Sequence, residues 1–450
     1  MALIPLGLVL IVAGALLVRR HPFVHYFLLA YLPFSQLLPE GIPLREVSVY
    51  LALSMFLATL WAEVSSGRGL RKLFWGDTLT KLVLAWYADM VLSYALSGMY
   101  GGWGARGLAR MSSYVAYYFI FKAWLKNGRR VRMSWKILSW VILACAVVAV
   151  LQIASGGYTP IFAILYPEFD EPWYGRASGL IGAGPNALGG FLNLILPATL
   201  VFFATGRSAQ RKLFYGAALC AGLIAEILSG SRSGLASSAL TVILGIYTFT
   251  RSKKLRFLSL YAFVLALPVF LAATTILAPR ITDVNKQESV LSRYRIWAAS
   301  IATFQEHPVF GIGVGNLREI ADPSEFGIEK QEDIDTSNLY LQSLVDTGVV
   351  GFAVFLTLSG YVLQMSWKNL KRYRVGSMAH TASFVLLTGM LSVLFQGTVD
   401  VLFIVSSAFA TTFGVMLALT NAPLIEQFDV APPKVLSLHP ALGVAVGRTR

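Results

Sequence analysis

The sequence predicts an all-α polytopic membrane protein with about 12–13 spanning helices. Three observations carry that reading. Hydrophobic residues make up 56% of the 450-residue chain and charged residues only 13%, with a mean hydropathy of +0.65; a soluble chain of this size could not hide so much apolar surface. The apolar residues fall in long runs without alternation. Lipid offers backbone groups no partners, so each run is expected to be a helix and not a barrel strand. The loops between the runs take sides by charge.

In chain order the expected spans are residues 2–18, 23–38, 47–62, 79–97, 111–125, 137–153, 186–205, 213–229, 233–250, 257–278, 339–366, 379–396 and 400–419. The first lacks a basic leader and is followed at once by Arg19 and Arg20, so it reads as a retained helix. One alternating set of loops, with the C-terminal tail, holds 24 of the 37 Lys and Arg against four acids. The other set holds 11 against 15. This bias puts the basic set and the C-terminus in the cytoplasm, and the N-terminus outside. The net charge of +14 is then a matter of topology and anionic lipid, not of nucleic acid.

Cys145 and Cys220 both fall inside spans, so no disulfide framework is expected. The five histidines lack the spacing of a zinc site. Two outer loops stand apart from the short basic ones. Residues 154–185 are aromatic, acidic and glycine-rich, with Trp173 and Tyr174 (like Trp103 in another outer loop) suited either to stack on sugars or to sit in the interface belt. Residues 279–338 form a large outer loop, long enough to act as a partly mobile lid. In it, Tyr294, Trp297, Ile301 and Phe304 mark one face of an amphipathic helix, with Trp297 anchored at the lipid headgroups. Gly311, Gly313 and Gly315 follow that helix and read as turns, since no strand precedes them as a dinucleotide fingerprint requires. The Asp333–Ile334–Asp335 triplet looks like the DxD of metal-dependent enzymes with cytoplasmic donors, but lies outside.

The acids Asp89 and Glu226 fall within spans. Both should face the bundle interior. For Asp89 a structural pairing or a protonated acid is expected, and for Glu226 a pairing with an outer arginine. The hairpin GSRSG, residues 230–234, fixes Arg232 at the tip of a turn too short to sway.

Four stretches resemble, in order, elements of one family. GRASGLIGAGPNALGGFL (175–192) resembles the arginine-then-PN element of the O-antigen ligase and polymerase family. LSGSRSGLASSAL (228–240) resembles its SRSG hairpin. SRYRIWAASIATFQEHPVFGIGVGN (292–316) and DTSNLYLQSLVDTGVVGFAVFL (335–356) resemble its outer loop and the helix after it. The resemblance implies a GT-C-like, inverting membrane glycosyltransferase without metal or cofactor. It takes a glycan from an undecaprenyl-pyrophosphate donor at the outer face of the bacterial inner membrane. The acceptor is lipid A–core for a ligase, or the end of another lipid-linked glycan for a polymerase; other envelope assembly proteins are possible partners. The resemblance divides the chain into scaffold helices (1–170), a catalytic region (171–366), C-terminal helices (367–420) and a disordered cytoplasmic tail (421–450).

The chemistry agrees with this resemblance. Pyrophosphate leaves with growing negative charge, and a metal-free site must meet it with fixed cations, for which the arginine fork is suited. Arg176, Arg232, Arg293 and Arg280 match family positions or lie beside them. Each could instead snorkel to lipid phosphates. Where the family carries a histidine before the asparagine of its last motif, this chain reads Thr336–Ser337–Asn338. Ser337 cannot replace that histidine as a base. Asp335 is the nearest acid to the displaced position and the candidate catalytic base, with Ser337, Asn338 and Glu226 in support; otherwise the acidic run is a solvated loop. Two other functions remain open: a lipid-linked glycan flippase or other transporter, and a non-catalytic glycan assembly partner. No internal repeat of the transporter kind is seen, and the notable charges gather at the outer face.

Overall fold

The computed structural model describes residues 23–34, 47–67, 70–98, 102–125, 128–155, 176–181, 184–250, 284–320, 335–401 and 407–419; at 47, 48, 50, 284–292 and 407–409 it describes the backbone alone. Among the described residues the chain is helical and carries no strand. The helices are α1 (Phe23–Tyr31), α2 (Val47–Ser65), α3 (Leu70–Trp75), α4 (Thr78–Leu96), α5 (Gly102–Trp124), α6 (Gly128–Ala154), α7 (Pro185–Thr205), α8 (Ala209–Ser229), α9 (Arg232–Phe249), α10 (Val284–Glu306), α11 (Leu317–Ile320), α12 (Leu339–Arg372), α13 (Met378–Gln396) and α14 (Ser407–Leu419). Every expected span overlaps a helix among the described residues except 2–18 and 257–278, which lie outside them. Six of the helices (α4, α6, α7, α8, α12 and α13) are long and apolar enough to cross a membrane. The protein is a multi-pass membrane protein.

Short turns force neighbouring helices to run antiparallel. Gly230 ends α8 with φ 60°, and Ser231 begins α9, its side chain accepting from the Gly234 N–H. That left-handed residue is why the hairpin takes glycine. Helices α7 and α13 form the middle of the bundle, with 78% of the apolar window of each buried. At one end lie the basic loops. There Lys122 of α5 makes an ion pair of 2.7 Å with Asp77, the N-cap of α4. The other end holds the starts of α5, α7, α9 and α12 and the ends of α4, α6, α8 and α13, and is called the site end below.

Helix α12 is broken near its start. Gly348 has φ 63°, and the chain 308–313 runs along the break. Ile312 and Gly313 donate N–H bonds to the carbonyls of Val345 and Asp346, and Val349 and Val350 donate back to Pro308 and Val309. Gly311, Gly313 and Gly315 all have positive φ, as turn glycines. Residues 311–318 are buried, so this stretch is packed structure and not a free lid; residues 321–334 lie outside the described ones. Any side chain at Gly348 would overlap the Val309 carbonyl and strain the backbone. Gly348→Ala is expected to lower stability by ~2–4 kcal/mol, read as a fall in melting temperature in detergent. An unchanged melting curve would show that the break is not fixed by glycine.

Two expectations for buried or interfacial groups are corrected. Glu226 is fully buried in α8 and pairs with no arginine among the described residues. Its Oε1 accepts from the Asn193 amide at 3.3 Å and sits against Gly189 and Gly234. Asn193 also donates to the carbonyls of Gly189 and Gly234 and accepts from Ser238. The small residues of α7 and α9 let this polar knot form where a cation would not fit. Trp297 of α10 does not reach outward to headgroups. Its indole N–H donates to the Thr336 carbonyl at 2.6 Å. The buried face of α10 carries Ile296 and Ser300, while Tyr294 and Ile301 are exposed. Packing of α10 on α12 shifted the face by a fraction of a turn from the apolar stripe.

Asp89 is buried against Gly351 of α12, with no hydrogen-bond partner among the described residues. The guanidinium groups of Arg106 and Arg318 lie over the Trp103 ring at 5.1 and 5.3 Å. Trp173 and Tyr174 lie outside the described residues.

Candidate functional site

Five stretches distant in sequence meet at the site end. Arg176 is pinned by two hydrogen bonds: its Nε donates to the Ser229 carbonyl at 2.8 Å and its Nη2 to Asn186 Oδ1 at 2.6 Å. The Ala177 N–H also donates to the Leu228 carbonyl, so the strand of chain before α7 is laced to the end of α8. Asn186 sits in the first turn of α7, right after Pro185 at the first helical position. Arg232 is the first residue of α9, exposed, two residues past the Gly230 backbone that Arg176 covers.

The turn before α12 is built by its own polar side chains. Asp335 Oδ1 accepts from the Ser337 N–H at 2.7 Å and from its hydroxyl at 3.2 Å. Such a bond two residues on is the turn that aspartate favours. Ser337 consequently has φ 45°, in the left-handed region. Asn338 caps α12, accepting from the N–H groups of Tyr340 and Leu341, each at 3.0 Å. Its amide donates to the Thr398 carbonyl at 3.1 Å, and the Leu339 N–H donates to the Gly397 carbonyl at 2.7 Å. Asn338 is thus a fastener between the start of α12 and the chain after α13.

That chain carries a residue that no motif in the sequence singled out, Asp400. Its carboxylate accepts from the Val401 N–H at 2.8 Å. Burial and the neighbouring Asp335 push the Asp400 carboxyl up to about 6; the Val401 and Asn186 hydrogen bonds and the Arg293 charge pull the other way. Arg293 itself is exposed on α10, four residues before Trp297.

The structure therefore brings Arg176, Asn186, Asp335, Asp400 and Arg293 together, with Ser337 and Asn338 shaping the turn and Arg232 sharing the Ser229–Arg232 hairpin with Arg176. The N-termini of α7 and α9 open at the same end with positive dipole character, while the first N–H groups of α12 are taken up by Asn338 and the Gly397 carbonyl. Arginines plus helix N-termini form an environment suited to a phosphate-bearing ligand. Glu226 lies beneath the hairpin as packing. Arg280, Glu332 and Asp333 lie outside the described residues. Among the described residues no group of His, Cys, Asp and Glu is placed to hold a metal ion.

Residues 216–356 match the family model Wzy_C, O-antigen ligase. No curated protein matches the chain. The matched segment runs from α8 through the SRSG hairpin and α10 into α12, and so contains Arg232, Arg293, Asp335, Ser337 and Asn338. It lies inside the region 171–366 that carried the resemblance. Arg176, Asn186 and Asp400 flank it in sequence and join it only in the fold. The match supports a role in polysaccharide biosynthesis at a membrane.

Proposed function

We propose that the protein is an inverting glycosyltransferase that moves a glycan from undecaprenyl pyrophosphate to an acceptor sugar hydroxyl at the outer face of the bacterial inner membrane. The observation that carries this reading is the gathering of Arg176, Arg293 and the Arg232 hairpin around the Asp335 turn at the end of the bundle away from the basic loops. The positive-inside rule assigns that end to the outside. The donor's pyrophosphate lies against Arg176 and Arg232, with the helix N-termini of α7 and α9 behind it. The acceptor oxygen attacks the anomeric carbon from the opposite face, the bond to pyrophosphate breaks, and its electron pair passes to the pyrophosphate oxygen. Asp335 takes the hydroxyl proton. The arginines are worth most as the leaving charge grows, which is the condition for lowering the barrier.

The test is turnover by the purified chain of an undecaprenyl-pyrophosphate-linked glycan, with released undecaprenyl pyrophosphate and glycan product measured in the presence and absence of EDTA. Transfer that survives chelation is expected. A glycan ladder marks a polymerase, and a single transfer to lipid A–core marks a ligase. Movement of the lipid across the bilayer without chemical change would replace this reading with a flippase.

A further inference from the structure

The end of the bundle that carries the basic loops has a groove that glycosyl transfer does not use. It lies in the corner between α3 and α4, has a volume of about 690 Å³, and is lined by Leu70, Arg71, Phe74, Trp75 and Lys81. That volume falls within the ~300–1,000 Å³ of small-ligand sites. The lining is apolar except for two cations, one from each helix. Both are exposed, and among the described residues neither side chain makes an ion pair or a hydrogen bond.

The corner is held from behind by one ammonium group. Lys122 of α5 donates to the Leu73 carbonyl at 2.8 Å and to Asp77 Oδ2 at 2.7 Å, and also to the Thr80 hydroxyl. It thereby joins the end of α3 to the cap and first turn of α4. The same contact occupies the nearest acid. Asp77 is matched by Lys122, each side chain being only 10% exposed, so its charge does not cancel that of the groove. Glu63, the other described acid at this end, does not line the groove. Lys81 is the fourth residue of α4 and faces out of the bundle. An ammonium there cannot rest in hydrocarbon. Helical side chains tilt toward the N-terminus, which for α4 is the direction of the α3 corner. Trp75 stands at that corner, 62% exposed, and tryptophan favours the headgroup level. Cations thus meet apolar surface at the boundary between headgroups and acyl chains.

We propose that this groove holds an anionic glycerophospholipid, with its phosphodiester between Arg71 and Lys81 and the upper part of its acyl chains against Leu70, Phe74 and Trp75. The guanidinium fork can take two phosphate oxygens, and the ammonium supplies a point charge from the other helix. A headgroup without a cation of its own completes the charge balance. A choline headgroup would add a third positive charge beside the first two. The site is at the opposite end of the bundle from Arg176 and Arg232 and does not depend on the transferase reading.

The full chain, purified in non-ionic detergent and stripped of lipid, is titrated with phosphatidylglycerol, phosphatidylcholine or inorganic phosphate. Bound lipid is measured by native mass spectrometry, and the melting temperature is recorded. Wild type should bind phosphatidylglycerol and melt higher with it. Phosphatidylcholine should bind about tenfold more weakly, and inorganic phosphate should give no shift in melting. The paired change Arg71→Ala with Lys81→Ala should lower affinity for phosphatidylglycerol on the order of 10- to 30-fold. Arg211→Ala with Lys212→Ala removes the same charge from another basic loop, also exposed. It should lose less than about threefold, because screening confines a charge's reach to ~10 Å. Lys81→Gln keeps the length of the side chain and covers the case in which the paired variant folds poorly; it should lose about 3- to 10-fold. Unchanged affinity in the Arg71 and Lys81 variants would overturn the proposal. Equal losses in the two paired variants would overturn it as well, leaving only diffuse attraction to a basic surface. So would equal binding of phosphatidylcholine, or a melting shift with inorganic phosphate alone, which would make the groove a site for free anions.

Discussion

Replacing Arg232 with alanine is expected to slow turnover by roughly 30- to 1,000-fold, the loss of ~2–4 kcal/mol of transition-state stabilisation typical of one charge-assisted donor. The fold should not suffer, because Arg232 is exposed at the start of α9 and the cap of that helix is made by Ser231. Melting temperature and expression should match wild type. Lysine should restore only part of the rate, since it brings charge without the fork. Arg176→Ala should lose at least as much, for a mixed reason: the side chain also bonds the Ser229 carbonyl and Asn186. Arg232 is therefore the cleaner probe. Near-normal turnover in well-folded Arg232→Ala protein would remove the pyrophosphate role and leave a headgroup contact in its place.

Asp335→Asn is expected to cost on the order of 100-fold or more in turnover with little change in donor affinity. The amide oxygen can still accept from Ser337, so the turn before α12 should survive, and a loss would report on the proton and not on the fold. Ser337→Ala should be mild, because the backbone N–H of residue 337 makes the shorter bond to Asp335 and remains. Ser337→His should fold, since histidine is among the residues enriched at positive φ. Wild-type rates in Asp335→Asn, with folding verified, would place the base elsewhere.

The spans were legible because membrane insertion is decided locally: an apolar run of sufficient length needs no knowledge of its neighbours. The hairpin at Arg232 was legible for the same reason, with only Gly230 and Ser231 between α8 and α9. Tertiary information was not. Asp400 sits in QGTVDVLF, where it looks like the polar edge of the last span, and nothing near it in sequence announces Asp335. Asn186 lay inside a quoted motif, yet its bond to Arg176 depends on how the segment before α7 folds back. The reading of Trp297 failed because periodicity gives the apolar face but not its partner, which is the turn at Thr336 and not lipid. Glu226 misled through energetics. A buried acid suggests a cation, but amide donation from Asn193 and close glycine packing took that place. The break at Gly348 was invisible for a related reason: a long apolar run continues through it.

The fastening of the turn before α12 to the turn after α13 has a consequence for biogenesis. Chains enter the membrane in order, and the arginines of residues 176 and 232 are in place long before residues 397–401 leave the ribosome. Until then Asn338 lacks its carbonyl partner at Thr398 and Leu339 lacks its partner at Gly397. A chain without its final hairpin therefore lacks the partners that hold the turn before α12 in shape, and insertion of that hairpin completes it.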